Sequence, residues 1–139
     1  MNKTTPKPVS VILCEDIRRE EGGKVSLIGV LTNGIKVLAR GDGTWGLAQL
    51  CVYAQFKSNS IAEYNAYVEV LDPDGNQVIK TDTRPVPNVE SAVAMTMKIN
   101  NFELPKSGEY KFNIYFDGKK TSQGFMFNLI QQAADPENG

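Results

Sequence analysis

Residues 104–119, LPKSGEYKFNIYFDGK, place a turn, an alternating segment and a second turn in sixteen positions. Tyr110, Phe112, Ile114 and Phe116 fall on one face of an extended segment and Lys111, Asn113, Tyr115 and Asp117 on the other. That alternation predicts a half-buried strand. The same period recurs in residues 47–57, where Ala48, Leu50, Val52, Ala54 and Phe56 form the expected core face, and in residues 64–71, where Tyr64, Ala66, Val68 and Val70 do. It returns in residues 91–100 through Val93, Met95, Met97 and Ile99, and in residues 124–131 through Phe125, Phe127 and Leu129.

Helical periodicity never persists for three turns, whereas turn residues recur about every ten positions, the spacing of an all-β chain. Residues 9–19 are expected to return through Gly22-Gly23 into residues 24–32, because glycine supplies the positive φ of a tight hairpin turn. Setting Glu21 opposite Lys24 pairs Ile17 with Ile28 and Cys14 with Leu31, so charges meet at the tip and apolar residues meet lower down. A turn at Asn33-Gly34 leads to residues 35–39 and then to a glycine-rich loop, 41–46. DPDGN at 72–76 turns the chain into residues 77–83, and RPVPN at 84–88, with two prolines, reads as a loop crossing between sheets. The expected fold is all-β: an antiparallel two-sheet sandwich of about eight strands, with immunoglobulin-like or C2-like topology. One domain, 9–131, is expected between a flexible N-terminus, 1–8, and a flexible tail, 132–139.

The length of 139 residues suffices for one core that removes about 68% of the unfolded surface from water without a metal or cross-link. Charged residues make up 22% and the net charge is -1, and the scattered Lys and Arg form no basic stripe, so nucleic-acid binding is not expected. The only early apolar run, residues 9–13, is interrupted by Ser10 and closed by charges. No segment reads as a signal peptide or a membrane span, which makes the cytoplasm the expected compartment. Cys14 and Cys51 each sit in an apolar strand pattern and read as reduced core residues; a disulfide requires their strands to be neighbours.

The chemistry is narrowed by one absence: the chain has no histidine. Ser-His-Asp and Cys-His nucleophile systems and His-bearing metal sites are therefore excluded. No phosphate-binding GxxxxGK[ST] loop is present. Glu15 and Asp16 are adjacent on a strand and point to opposite faces, so a carboxylate pair would need a partner such as Asp82 or Glu90 from elsewhere. With Arg18, Arg19, Glu20 and Glu21 they read as an ion-pair ladder on an exposed hairpin, or as a charged docking surface. Asp72 and Asp74 in the DPDGN turn are the weak metal candidates; calcium would require Asp42 or Asp117 to converge there, and the turn itself explains the motif. No cofactor is expected.

Trp45, the single tryptophan, lies in the glycine-rich loop and suits either a ligand anchor or a cap over the sandwich end. Asp42 in the same loop and Arg84 in the proline-bearing loop are further contact candidates. Tyr53, Tyr67 and Tyr115 are expected to project from faces opposite the core and to form a partner-binding sheet surface.

Leu13-Cys14-Glu15-Asp16-Ile17-Arg18, followed by Gly23-Lys24-Val25-Ser26-Leu27-Ile28-Gly29-Val30, resembles the opening of a family of uncharacterised, mostly bacterial proteins known as a domain of unknown function. Leu50-Cys51-Val52-Tyr53, the Asp72–Gly75 turn and Gly108-Glu109-Tyr110 follow in the order such proteins show. The resemblance implies a small cytosolic β-sandwich, sometimes found in mobile-element contexts, and transfers no catalytic residue. The expected function is thus a non-catalytic binding module, contacting a protein partner or a second copy through its end loops or tyrosine face. A calcium-dependent C2-like lipid or sugar binder and a phage or prophage structural accessory protein are the alternatives.

Overall fold

A computed structural model describes residues 5–32, 34–58, 63–89 and 92–131. Among these described residues ten strands form two sheets. They are β1 (Lys7–Arg19), β2 (Val25–Leu31), β3 (Ile35–Leu38), β4 (Gly46–Lys57), β5 (Tyr64–Leu71), β6 (Gln77–Lys80), β7 (Arg84–Val86), β8 (Ala92–Glu103), β9 (Gly108–Phe116) and β10 (Lys119–Ile130). The first sheet runs β2-β1-β4-β8; the second runs β3-β10-β9-β5-β6, with β7 also beside β5. Glu21–Gly23 makes a single 3-10 turn.

The inward faces are those that period two selects. Leu50, Val52, Ala54 and Phe56 of β4 and Val93, Met95, Met97 and Ile99 of β8 meet Tyr64, Ala66, Val68 and Val70 of β5 and the aromatic face of β9. Phe102 fills one end of this interior, with ring centroids 6.2 Å from Tyr110 and 6.1 Å from Phe127. Phe56, Tyr64 and Phe116 fill the other, Phe56 lying edge-on to Phe116 at 4.7 Å. Each fully buried aromatic contributes about 1.5–3 kcal/mol through apolar burial. β9 enters β10 through Asp117-Gly118, whose φ values of 49° and 83° are those of a two-residue hairpin turn.

Several expectations change. Ten strands replace about eight, and one pairing, β3 with β10, is parallel. RPVPN crosses between sheets only in its second half: Arg84–Val86 pairs with β5 from Tyr64↔Val86 to Ala66↔Arg84, and the passage to the first sheet begins at Pro87. Pro85 is accommodated because β7 continues the sheet edge begun by β6.

The β1–β2 hairpin is shifted by one residue, pairing Ile17 with Leu27 and Cys14 with Val30. Its turn spans five residues: the Glu20 N–H donates to the Lys24 carbonyl at 2.8 Å, and Gly22 and Gly23 take φ of 78° and 75°. Finally, Ala48 is exposed while Leu47 packs against the core opposite Phe102, and on that facing strand the inward set likewise switches from Ile99 to Phe102 across Asn101, whose φ is 54°. The strand β1 begins at Lys7, so residues 7 and 8 are paired; the tail 132–139 and Asn33 lie outside the described residues.

Candidate functional site

β8 is an edge strand of the first sheet, paired with β4 on one side. Val93, Met95, Met97 and Ile99 point into the sandwich, so Ala94, Thr96 and Lys98 carry the outward side chains. The carbonyl of Thr96 accepts a hydrogen bond from the Arg84 guanidinium of β7, in the opposite sheet. That carbonyl therefore faces away from β4. In an antiparallel ladder this direction is shared by the Thr96 N–H and recurs at every second residue, so Ala94 and Lys98 also direct backbone groups toward the open edge.

A wall rises on the outer side of this edge. β1 pairs with β4 as far as Cys14 and thereafter only with β2. The freed segment bends over the outer side chains: Gln49 Nε2 donates to the Glu15 carbonyl at 2.8 Å and to Asp16 Oδ1 at 3.2 Å, and Arg19 Nη2 reaches Thr96 Oγ1 at 3.3 Å. Gly29 makes room for the Glu15 side chain. Its φ is 66° and a Cβ there would meet the Glu15 carboxyl carbon at 2.7 Å. The hairpin buries Cys14 and Cys51, which are direct cross-strand partners and both free thiols. They lie beneath the hairpin on the outer face, and the inter-sheet core holds their neighbours Leu13 and Val52 instead.

The opposite wall is the β6–β7 connection. Thr81 anchors it by donating its N–H to the Val68 carbonyl and accepting the Val68 N–H on Oγ1, both at 2.9 Å. Between the walls lies a cleft of about 470 Å³ straddling β8. Its apolar surface comes from Ile17, Val68, Met95 and Met97, and its charges from Arg19, Arg84, Lys98, Asp16 and Asp82. Among the described residues, none of the three cations is in an ion pair with a carboxylate. Asp16, by contrast, is occupied: Oδ1 accepts the Ile17 N–H at 2.9 Å as well as Gln49, and Oδ2 lies 3.9 Å from Arg18. The Cys51 thiol, which also lines the cleft, is held above its ordinary pKa, chiefly by burial and then by Asp16, against a smaller opposing effect of Lys98. The arrangement is suited to holding an anionic group against an apolar floor.

Residues 9–125 match a family of unknown function, a span that contains every residue lining the cleft. The chain belongs to the DUF6941 family. A comparison with curated proteins gives no match.

Of the contact residues that the sequence suggests for this DUF6941 protein, the cleft holds one, Arg84. Tyr53 sits beside it on the outer face of the first sheet, opposite Thr96 in register, with its hydroxyl accepting from Gln55 at 3.0 Å. Tyr67 and Tyr115 stack at 4.4 Å on the outer face of the second sheet, with Lys80 5.0 Å from the Tyr67 ring. The three tyrosines therefore do not share a face, since β4 belongs to one sheet and β5 and β9 to the other. Trp45 packs against the core and donates its indole N–H to the Ile130 carbonyl at 3.2 Å. Asp42 folds back on Thr44, accepting its hydroxyl at 2.6 Å and its N–H at 3.0 Å, which lowers the carboxyl pKa.

The DPDGN turn closes on itself. Asp72 Oδ1 accepts the N–H groups of Asp74 and Asn76, each at 2.9 Å, and Asp74 pairs with Lys106 at 2.5 Å. Asp117 bonds Asn65 at the far end of β5, away from this turn. Among the described residues no three His, Cys, Asp or Glu side chains gather as metal ligands, and no helix is long and apolar enough to cross a membrane. Glu90 lies outside the described residues.

Proposed function

We propose that this DUF6941 chain is a non-catalytic binding module whose ligand is held in the cleft along β8. The observation that carries the reading is the convergence of Arg19, Arg84 and Lys98, from three separate elements, beside an open strand edge and an apolar floor. Cations without carboxylate partners favour an anionic ligand, and Met95 and Met97 offer adaptable apolar contact. The end loop holding Trp45 and Asp42 supports the reading less well, because both side chains bond within their own end of the sandwich.

The test is comparative capture. Tagged wild-type chain, the double variant Arg84→Ala/Lys98→Ala and the double variant Tyr67→Ala/Tyr115→Ala are each exposed to host lysate, and bound species are quantified by mass spectrometry. The reading expects one bound set to be lost with the cleft variant and kept with the tyrosine variant. The reverse pattern would move the site to the second sheet and overturn the proposal.

A further inference from the structure

Resting on the cleft as the binding site, we infer that its ligand is an extended segment of a partner protein that joins β8 as a fifth strand of the first sheet and carries an acidic side chain into the cleft. Three features of the same edge converge on that ligand. The backbone groups of Ala94, Thr96 and Lys98 face the opening, and they repeat every second residue, about 6.8 Å, which is the repeat an added strand presents. Val68, Met95 and Met97 are core residues whose edges form the cleft floor on the inward side of that strand, where alternate apolar side chains of an added strand would rest, while the intervening positions lie toward Arg19 and Lys98. The walls formed by the hairpin and the β6–β7 connection limit the paired segment to a few residues.

Arg84 gives the site a switching contact. In the free chain its guanidinium occupies the Thr96 carbonyl, covering a backbone acceptor that an incoming strand needs. Strand addition supplies that carbonyl with a peptide N–H, and the released guanidinium can then pair with the peptide carboxylate. Asp16 and Asp82 flank the cations, so the site favours one acidic residue over an acidic run. A second copy of this chain fits poorly, because β8 pairing with its own copy brings Arg19, Arg84 and Lys98 of both copies to one seam.

The probe is a random decapeptide library displayed on phage and selected on the immobilised full chain, followed by synthesis of an enriched peptide. The inference expects peptides with a single Asp or Glu among alternating apolar residues, with amide exchange at Ala94, Thr96 and Lys98 slowed by about tenfold or more on binding. Replacing the peptide's acid by its amide should weaken binding about tenfold, the loss of one charge-assisted hydrogen bond. Arg84→Gln should narrow the difference between the two versions, with Arg19 and Lys98 still facing the peptide, while keeping the wild-type urea midpoint to within a small shift. Enrichment of basic or uncharged peptides, or no enrichment, overturns the inference. Binding that perturbs the resonances of Arg19, Arg84 and Lys98 without protecting β8 amides refutes strand addition and leaves the cleft reading standing. Perturbation confined to Trp45 or to Tyr67 and Tyr115 defeats both, and a dimer that protects the same amides assigns the edge to a second copy instead.

Discussion

Arg84 of β7 donates to the carbonyl of Thr96 on β8, a bond that spans the two sheets at the point where the sandwich is open. Unpaired strand edges template association with other strands, and a cation placed over one is a common protection. Arg84→Ala is therefore expected to cost about 1 kcal/mol, the net value of such a bond at an exposed site, and to introduce concentration-dependent self-association. Urea unfolding and light scattering over a range of protein concentrations check both effects. A variant that stays monomeric with an unchanged midpoint would show that Arg84 does not guard the edge.

Phe102 is fully buried and touches the rings of Tyr110, Phe112 and Phe127, so it ties β8 to three positions of the other sheet. Phe102→Ala removes those contacts and leaves a cavity between sheets that cannot easily collapse. Destabilisation of about 3–5 kcal/mol is expected from chemical denaturation. A loss below about 1 kcal/mol would mean that the interior repacks far more readily than its geometry implies.

Much of this architecture is legible in the chain, and the reasons are local. Tyr64–Leu71 alternates cleanly because β5 is covered by sheet neighbours on both edges and by the core on one face, so its burial follows period two. The parallel placement of β3 is not legible, because four short residues carry no information about which distant strand they join. The cleft escaped for a related reason. Lys98 looks like an ordinary solvated position and Arg19 like one charge among several on the hairpin, and only the bend after Cys14 and the arrival of β7 bring them beside Arg84. The density of charge in residues 15–21 is the available signal. The division of the three tyrosines between two sheets is not legible either, because outward projection says nothing about which sheet a residue projects from.

Cys14 and Cys51 oppose each other under the β1–β2 hairpin. Both thiols are held above their ordinary pKa, Cys14 by burial and then by Cys51, Cys51 by burial and then by Asp16. Two thiols should react with a disulfide reagent in denaturant, and far more slowly in the native protein at neutral pH. Since the folded values lie above the unfolded ones, the unfolded chain releases its protons first as pH rises. Their contribution to stability is full below the unfolded thiol value of about 8.5 and is lost as pH rises through the higher folded values. Urea midpoints followed from pH 7 to 11 should fall more steeply for the wild type than for Cys14→Ala/Cys51→Ala; parallel curves would refute this linkage.

Calcium is expected to leave the melting temperature unchanged. The Asp72 carboxylate is already committed to two backbone N–H groups and Asp74 to Lys106. A cation bound only by the folded state at a hundred times its dissociation constant would add about 2.7 kcal/mol. A thermal shift that appears with calcium and disappears with chelator would make the DPDGN turn a genuine site.

The most direct test of the cleft as the binding site is photo-crosslinking from two positions. A benzophenone amino acid is placed at Asp82, on the exposed rim of the cleft, or at Tyr67, on the outer face of the other sheet, and each chain is irradiated in host lysate. Covalent capture of a partner from position 82 and none from position 67 is the predicted result. Capture from position 67 alone would contradict the account and place recognition on the second sheet.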